Sequence, residues 1–294
     1  MITDAATVDA AVAALFGDDV RIASKHAVSG GCINETSVIA LSNGEKLFLK
    51  ENSARFEKMF LAEAKGLAAL RIEGGPRVPE PVAVYTGEST QYLLMTYISP
   101  GRPGPRHYED FARSLALLHK SASSDTYGFD EDNFIGSTPQ RNPRCESWVT
   151  FYGEHRLGYQ IRLAGRRGLA GKGLVHNVEA IVAKLPEILP EPEHPSILHG
   201  DLWTGNAMSD ENGDAVMIDP AAYYGHNEAD LAMTELFGRF PASFYRAYNE
   251  VMPIDSAYDA ERRTLYNLYH ILNHLNLFGT SYAGSALAMT RQFT

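Results

Sequence analysis

The chain has 294 residues, of which 45% are hydrophobic, which is enough apolar material for two domains that share a cleft. Its formal net charge of -10 argues against nonspecific binding to nucleic acids or anionic membranes, because both need an excess of Lys and Arg. Only Cys32 and Cys145 are present, the N-terminus carries no basic signal sequence, and no apolar run approaches the roughly 20 residues that span a bilayer. These features predict a cytoplasmic protein that binds neither nucleic acid nor membrane, and they leave its oligomeric state open.

A glycine pair lies at the tip of the first predicted hairpin. A short helix is predicted at residues 7–16, and strand-like residues then flank Gly30, Gly31 and Cys32. Backbone N–H groups at such a turn can approach phosphates closely, because no large side chain intervenes. An ordinary glycine turn explains the same residues, since the full G-x-G-x-x-G of protein kinases is absent. The prediction of phosphate contact therefore depends on the residues that follow.

A lysine and a glutamate form the next candidate pair. Lys50 ends an apolar strand, and residues 56–71 have helical spacing. Glu63 falls in the apolar stripe of that helix, where a carboxylate is costly unless it is paired. We predict a Lys50–Glu63 ion pair like that of a kinase N-terminal lobe, in which the Lys contacts nucleotide phosphates. In the simpler alternative, Glu63 lies at the edge of the stripe and Lys50 is solvated.

A second hairpin, predicted at residues 82–98, brings the number of N-terminal strands to five. Its last strand runs into a connection between domains, where backbone N–H and C=O groups can bind the edge of an adenine. Met95, Thr96 and Tyr97 are the candidates for this contact.

Residues 100–105 form the stretch of the chain that is richest in Pro and Gly. We place a domain boundary there, because linkers have this composition. The prediction is a nucleotide-binding lobe at residues 1–98, followed at residues 99–294 by a lobe that carries the catalytic and substrate-binding groups.

Two short apolar segments surround the most informative part of the sequence. Residues 196–198 and 215–218 predict buried strands, and a turn at residues 211–214 lets the chain double back. We expect the two strands to be linked as a hairpin, with the polar residues that follow each of them in one small volume.

Residues 199–206 read His-Gly-Asp-Leu-Trp-Thr-Gly-Asn, and Asp219 follows the second strand. The spacing D-x-x-x-x-N, then a strand and an Asp, is typical of kinase-like phosphotransferases. Asp201 would accept the proton of an attacking hydroxyl, while Asn206 and Asp219 would hold Mg²⁺ against nucleotide phosphates. The alternative is a polar turn between two core strands, with Asp201 as its cap.

Several other polar residues receive a structural interpretation. His119, at a helix end, is predicted to cap or pack, and His270 and His274 are predicted to be core or surface residues and not metal ligands. A local basic cluster is predicted to be a solvated face, with contact to an anion or a glycated partner as the alternative; it comprises Arg156, Arg162, Arg166, Arg167 and Lys172.

Taken together, these residues resemble the fructosamine-3-kinase (ketosamine-3-kinase) family, within the aminoglycoside-phosphotransferase branch of protein-kinase-like folds. The segments that look specifically like ketosamine kinases are residues 29–34, 128–136, 140–142, 148–151 and 228–233. The resemblance implies an α+β, two-lobed fold, with an antiparallel sheet and one key helix in the N-terminal lobe and a larger, mostly helical C-terminal lobe. Pro220 follows Asp219 where protein kinases have Phe-Gly, so no protein-kinase activation loop is expected.

The same resemblance implies phosphorylation, with ATP and Mg²⁺, of the 3-hydroxyl of a ketosamine, which is a sugar joined to an amine by glycation. The substrate would be a free ketosamine or a glycated protein, and decomposition of the 3-phosphate would free the amine. Trp203 is a candidate for stacking on the sugar, with core packing as the alternative. Two other functions remain open: a kinase for another hydroxylated amine, such as an aminoglycoside or a choline-like alcohol, and a nucleotide-binding module without catalysis.

Overall fold

The computed structural model describes residue 3 and residues 5–28, 34–56 and 58–293. The strands in this part of the chain are β1 (Ile22–Ala27), β2 (Glu35–Leu41), β3 (Lys46–Ser53), β4 (Pro81–Thr86), β5 (Thr90–Thr96), β6 (Asn133–Ile135), β7 (Thr138–Gln140), β8 (Ser196–Leu198), β9 (Ala207–Ser209), β10 (Ala215–Met217) and β11 (Tyr223–Gly225). The α-helices are α1 (Val8–Phe16), α2 (Met59–Ala69), α3 (His107–Ser121), α4 (Trp148–Phe151), α5 (Gly158–Arg166), α6 (Lys172–Ile188), α7 (Glu228–Leu236), α8 (Ala242–Val251), α9 (Arg263–Phe278) and α10 (Ala283–Thr290). The chain also forms π-helical turns at Tyr152–Leu157 and Tyr258–Arg262 and 3-10 turns at Thr204–Asn206 and Thr280–Tyr282.

The strands β1–β5 form one antiparallel sheet in the order β1-β2-β3-β5-β4. Successive side chains of a strand point to opposite faces of a sheet. Leu49 packs with Val12 of α1 on one face, whereas Leu93 packs with Phe60 of α2 on the other. Lys50 lies opposite Leu93 in the register of β3 and β5, so its side chain is on the face that α2 covers. This register brings Lys50 to the helix that carries Glu63.

Local signals explain how the first helix begins and ends. Thr7 accepts a hydrogen bond from the N–H of Ala10 at 3.1 Å, which satisfies one of the free donors of the first turn. Gly17 ends the helix with φ +100°, a conformation that residues with a Cβ rarely adopt. The helix predicted at residues 7–16 is therefore confirmed.

Helices dominate the chain after residue 106, as the resemblance predicts. The centre of this part is α9, which is buried along most of its length and contacts α5, α7 and α10. Trp148 is fully buried beside it, and its Nε1–H donates to the hydroxyl of Tyr266 at 3.2 Å. None of the described helices combines the length and the apolar character that crossing a membrane requires.

The expected hairpin of residues 196–198 and 215–218 is wrong in its pairing. The segment at 196–198 is β8, but it pairs with β11, whereas β10 pairs with β9. The turn itself is confirmed: the carboxylate of Asp210 accepts the N–H groups of Asn212 and Asp214, both at 2.9 Å, and Gly213 adopts φ +87°. The strand β9 is only three residues long, so it leaves no periodic signal in the sequence.

Residues 97–106, which connect β5 to α3, lie close to the β9–β10 hairpin. The N–H of Gly101 donates to the carbonyl of Ser209 at 2.8 Å. A Cβ on Gly101 would lie 2.0 Å from the carbonyl oxygen of Asp210, so only glycine fits this approach. The position of the domain boundary stays a prediction.

Candidate active site

Lys50 connects the sheet to two carboxylates. Its Nζ atom is 2.6 Å from Oε1 of Glu63 and 2.6 Å from Oδ1 of Asp219. Burial alone would lower the pKa of Lys50, but Asp219 and Glu63 together raise it above its ordinary value, so the ammonium stays charged. The predicted Lys50–Glu63 pair is present in the structure, and the alternative of a solvated Lys50 is wrong, since the residue is only 4% exposed.

Asp201 and Asn206 are joined across the 3-10 turn at Thr204–Asn206. The amide Nδ2 of Asn206 donates to the backbone carbonyl of Asp201 at 2.8 Å and to its Oδ2 at 3.2 Å. Since the nitrogen of this amide is used within the loop, its oxygen is left as a ligand atom. The loop thus fixes the carboxylate of Asp201 and the amide oxygen of Asn206 relative to each other.

His199 links this loop to the segment that carries Asp219. Its Nδ1 accepts the N–H of Asp201 at 3.2 Å, so Nε2 carries the proton and donates to the carbonyl of Ile218 at 2.9 Å. Burial lowers the pKa of His199, which agrees with a neutral ring. His199 therefore connects the loop that carries Asp201 to the segment that carries Asp219.

Burial also changes the acidity of Asp201. It raises the pKa of this carboxyl to about 7, against the hydrogen bond from Asn206, and the nearby negative charges of Asp219 and Asp230 add to the increase. A carboxylate with this pKa can take a proton near neutral pH, as a general base must.

Asp230 at the start of α7 fixes the turn before Asp201. Its two carboxylate oxygens accept the N–H groups of His199 at 2.7 Å and Gly200 at 2.8 Å. His119, fully buried at the end of α3, lies 3.2 Å from the same carboxylate and 2.7 Å from the hydroxyl of Tyr248. The prediction that His119 packs is confirmed, but the contact of Asp230 with the loop that carries Asp201 was not predicted.

Gly200 and Asp219 have unusual backbones at the points where the two segments meet. Gly200 adopts φ +81°, and a Cβ there would lie 2.1 Å from the carbonyl oxygen of Ala221. Asp219 adopts φ +56°, a left-handed conformation that is uncommon for residues other than glycine. Backbone strain of this kind clusters at functional sites.

The polar loop that contains β6 and β7 is tied to the residues after Asp219. Gln140 donates to the carbonyl of Ala221 at 2.9 Å, and Asn133 donates to that of Ala222 at 2.7 Å. At its outer end Glu131 pairs with Lys65 of α2 at 2.7 Å. The loop therefore contacts both the segment that follows Asp219 and the helix that carries Glu63.

Arg156 supports this loop from inside the protein. It is fully buried, donates to Oδ1 of Asn142 at 2.7 Å, and its guanidinium lies 3.9 Å from the centroid of the Tyr223 ring. The interpretation of the basic cluster as a solvated face is therefore wrong for Arg156, whereas Arg162, Arg166, Arg167 and Lys172 are exposed as predicted.

The segments described above meet at a cavity of about 180 Å³. The predicted site residues that line it are Lys50, Glu63, Asp201, Trp203, Asn206 and Asp219. Trp203 is half-buried and contacts Phe237 edge to face, with ring centroids 6.0 Å apart. A Cβ on Gly205 would lie 2.3 Å from the indole, so the glycine makes room for the ring at the cavity wall.

The remaining candidates stay predictions. Gly30, Gly31 and Cys32 lie outside the described residues. Met95 is buried in the core, and the N–H of Thr96 donates to the carbonyl of Glu80 at 2.9 Å. Met95, Thr96 and Tyr97 do not line the 180 Å³ cavity.

Comparisons with known proteins agree with this geometry. The sequence model of the fructosamine kinase family matches residues 5–294. The chain is 43% identical to a probable ketoamine kinase of Synechocystis over 278 residues (94% of this chain and 92% of the relative), and 43% identical to the chloroplastic protein-ribulosamine 3-kinase of Arabidopsis thaliana over 283 residues (93% and 83%).

Solved structures give the same fold. A Thermobifida fusca protein proposed to be a fructosamine-3-kinase superposes with a TM-score of 0.86 at 34% identity, covering 97% of this chain and 98% of that one. Aminoglycoside phosphotransferase APH(4)-Ia, with a TM-score of 0.66, 15% identity and coverage of 97% and 98%, shares the fold alone. The two-lobed, protein-kinase-like fold is thus confirmed, and the chain belongs to the fructosamine kinase family.

Proposed function

We propose that this protein is an ATP-dependent kinase that phosphorylates the 3-hydroxyl of ketosamines. The observation that carries the proposal is the meeting of two sets in one cavity: Lys50 with Glu63 and Asp219, and Asp201 with Asn206. A binding module without catalysis has no need of a proton acceptor at the position of Asp201. Family membership and the names of the relatives support ketosamines as the acceptors.

In this proposal the cavity positions the two reactants and neutralises charge, which is most of what phosphoryl transfer requires. Lys50 binds nucleotide phosphates, and Glu63 holds its ammonium in place. Gly30, Gly31 and Cys32 remain the candidates for contact with the phosphates through their backbone N–H groups. Met95, Thr96 and Tyr97 remain the candidates for contact with the adenine.

The residues present fit a magnesium ion. Asn206 has its amide oxygen left for a ligand, and Asp219 presents a carboxylate that is only partly covered by Lys50. Such hard oxygen atoms, completed by substrate phosphates, suit Mg²⁺, which is usually held by one or two protein groups. When bound, the ion would neutralise the charge that develops on the transferred phosphoryl group.

Asp201 acts on the acceptor. Its carboxylate orients the 3-hydroxyl and takes its proton as the oxygen attacks the terminal phosphate of ATP, and ADP leaves. The resemblance implies that the ketosamine 3-phosphate then decomposes and frees the amine, so the physiological result is deglycation. Since one relative is named protein-ribulosamine 3-kinase, we propose that glycated amines of proteins are among the substrates, with free ketosamines as the alternative. We propose the cytoplasm as the location.

The rate should fall in acid as Asp201 becomes protonated. Because the pKa of Asp201 is raised to about 7, its base form predominates above that pH and is lost below it. We expect kcat/KM, measured from about pH 5 to about pH 9, to decrease about tenfold per pH unit below about pH 7 and to level off above it. Asp201→Asn is the control, since its residual rate should lack this decline. A wild-type rate that stays constant down to about pH 5, near the usual range of carboxyl groups, would contradict the assignment.

Trp203 should affect the acceptor and not the nucleotide. We expect Trp203→Leu to raise KM for a ketosamine about tenfold and to leave KM for ATP unchanged, because the lost contact is with the sugar face. Trp203→Phe keeps a ring and should keep most of the affinity. Gly205→Ala, which forces the indole to move, should resemble Trp203→Leu. If Trp203→Leu lowers the stability of the protein but the folded fraction has an unchanged KM for the acceptor, Trp203 serves core packing and does not contact the sugar.

The proposed function is tested by ADP release in the presence of ATP and Mg²⁺. The acceptors would be a fructosamine, a ribulosamine, a peptide with a glycated lysine, an aminoglycoside, choline and a blank without acceptor. Turnover of ketosamines that disappears in Asp201→Asn is the expected result, and NMR of the early product should place phosphate on the 3-oxygen. If only the aminoglycoside or choline is phosphorylated, the protein is a kinase but its acceptor is not a ketosamine. If the protein binds ATP but phosphorylates none of these acceptors, it is a nucleotide-binding module without catalysis.

A further inference from the structure

A buried imidazole lies next to the proposed base and has no role in the chemistry described above. His270 of α9 is 4% exposed, and its Nδ1 atom has no hydrogen-bond partner within the described part of the chain. This atom lies 3.9 Å from Oδ1 of Asp201, which is too far for a hydrogen bond. Burying a polar atom without a partner is unfavourable, so such an atom in a folded protein calls for an explanation.

The contacts of Asp201 leave one of its oxygens for this imidazole. Oδ2 accepts the hydrogen bond from Asn206, whereas Oδ1 accepts none from the described residues. The carboxylate is therefore held on one side only. A donor on the side of Oδ1 would fix its orientation.

His270 is suited to be that donor because it is neutral. Burial lowers its pKa to about 3, and the neighbouring His274 contributes to the decrease. A neutral imidazole carries one N–H, which can reside on Nδ1. Nδ1 of His274, which lies one turn further along α9, forms a hydrogen bond with the carbonyl of His270 at 2.8 Å. This contact joins the two turns.

We propose that His270 is a positioning residue for Asp201. A small rotation of the carboxylate brings Oδ1 within hydrogen-bond distance of Nδ1–H, and Asp201 is then held between His270 and Asn206 while it accepts the proton of the acceptor hydroxyl. The inference rests on the proposed role of Asp201 as the base, but it does not depend on which acceptor the enzyme uses. His270 is not among the described residues that line the 180 Å³ cavity, so its loss is expected to act on turnover through Asp201.

Two amide side chains separate this role from simple core filling. In His270→Asn the amide nitrogen can take the place of Nδ1, whereas in His270→Gln it can take the place of Nε2. Both variants are polar, but the Asn side chain is smaller than that of Gln by one methylene group, so a loss caused by poor core filling alone should be greater in His270→Asn than in His270→Gln. His270→Leu removes both ring nitrogens, and His176→Asn, on the exposed face of α6, is the matched control.

The test measures kcat and both KM values for wild type and the four variants, after the wild type has been assigned an acceptor. That first step decides the proposed substrate class by itself, so its failure is distinct from failure of this inference. We expect kcat to fall about 10- to 100-fold in His270→Gln and His270→Leu, since a misplaced catalytic group costs this much, while both KM values stay unchanged. His270→Asn should retain most of the wild-type kcat, and His176→Asn should equal the wild type.

Equal loss of kcat in His270→Asn and His270→Gln would overturn the proposal, because it would show that only the shape of the ring matters. Near wild-type kcat in all variants would overturn it as well. A change confined to KM would assign His270 to substrate binding instead and would equally reject the positioning role. If His270→Leu does not fold, the comparison of the Asn and Gln variants still decides between these outcomes.

Discussion

Asp201→Asn is expected to lower kcat by about 10²- to 10⁴-fold, the usual contribution of a general base. The substitution keeps the shape of the side chain but removes its capacity to take a proton. The backbone carbonyl of Asp201 still accepts the amide of Asn206, and the turn before it is still held by Asp230, so the loop should keep its conformation. Steady-state ADP release at saturating ATP and acceptor measures the loss.

Binding of a nucleotide analogue to the same variant is the control. Unchanged affinity would show that the loss concerns chemistry and not folding or nucleotide binding. A variant that binds nucleotide and turns over at the wild-type rate would remove Asp201 from the role of base.

Lys50→Met is expected to weaken the binding of nucleotide phosphates and to destabilise the protein at the same time. Glu63 is nearly buried, and without the ammonium at 2.6 Å its carboxylate has lost its cation. Breaking a buried ion pair in this way costs about 3–5 kcal/mol in the free energy of unfolding. Loss of a preorganised positive donor should lower kcat by about 10²- to 10³-fold. Denaturant unfolding and ADP release measure the two effects.

The double variant Lys50→Met/Glu63→Gln separates these effects. The neutral amide that it introduces in place of the Glu63 carboxylate removes the unpaired charge, so stability should largely return. Activity should stay low, because the phosphates still lack their cation. If the double variant is as unstable as Lys50→Met, the unpaired charge of Glu63 is not the cause. If Lys50→Met retains activity, Lys50 does not bind the phosphates.

The parts of the site that could be predicted are those with a local signal. The pair of Lys50 and Glu63 follows from a carboxylate in an apolar stripe, which needs a partner that the preceding strand supplies. The grouping of Asp201, Asn206 and Asp219 follows from their spacing around two short apolar segments. In both cases the residue types and their spacing over a short stretch of the chain allow few arrangements of the side chains.

The parts that could not be predicted depend on contacts between distant segments. Asp230 binds the N–H of Gly200 from 30 residues away, and no local pattern announces this contact. Arg156 lies among exposed basic residues in the sequence, yet aromatic rings and an amide oxygen replace solvent around it. The pairing of β8 with β11 was missed because segments of three residues carry no period.

The left-handed backbone of Asp219 limits which side chains this position accepts. At φ +56° Gly, Asn and Asp are tolerated, whereas other residues meet a steric cost of about 1–2 kcal/mol. Asp219→Ala therefore combines loss of the carboxylate with added backbone strain at this position, and its phenotype reports both. Asp219→Asn keeps the backbone and isolates the charge. Among variants that remove the carboxylate, Asp219→Asn and Asp219→Gly should accordingly place the least strain on this backbone.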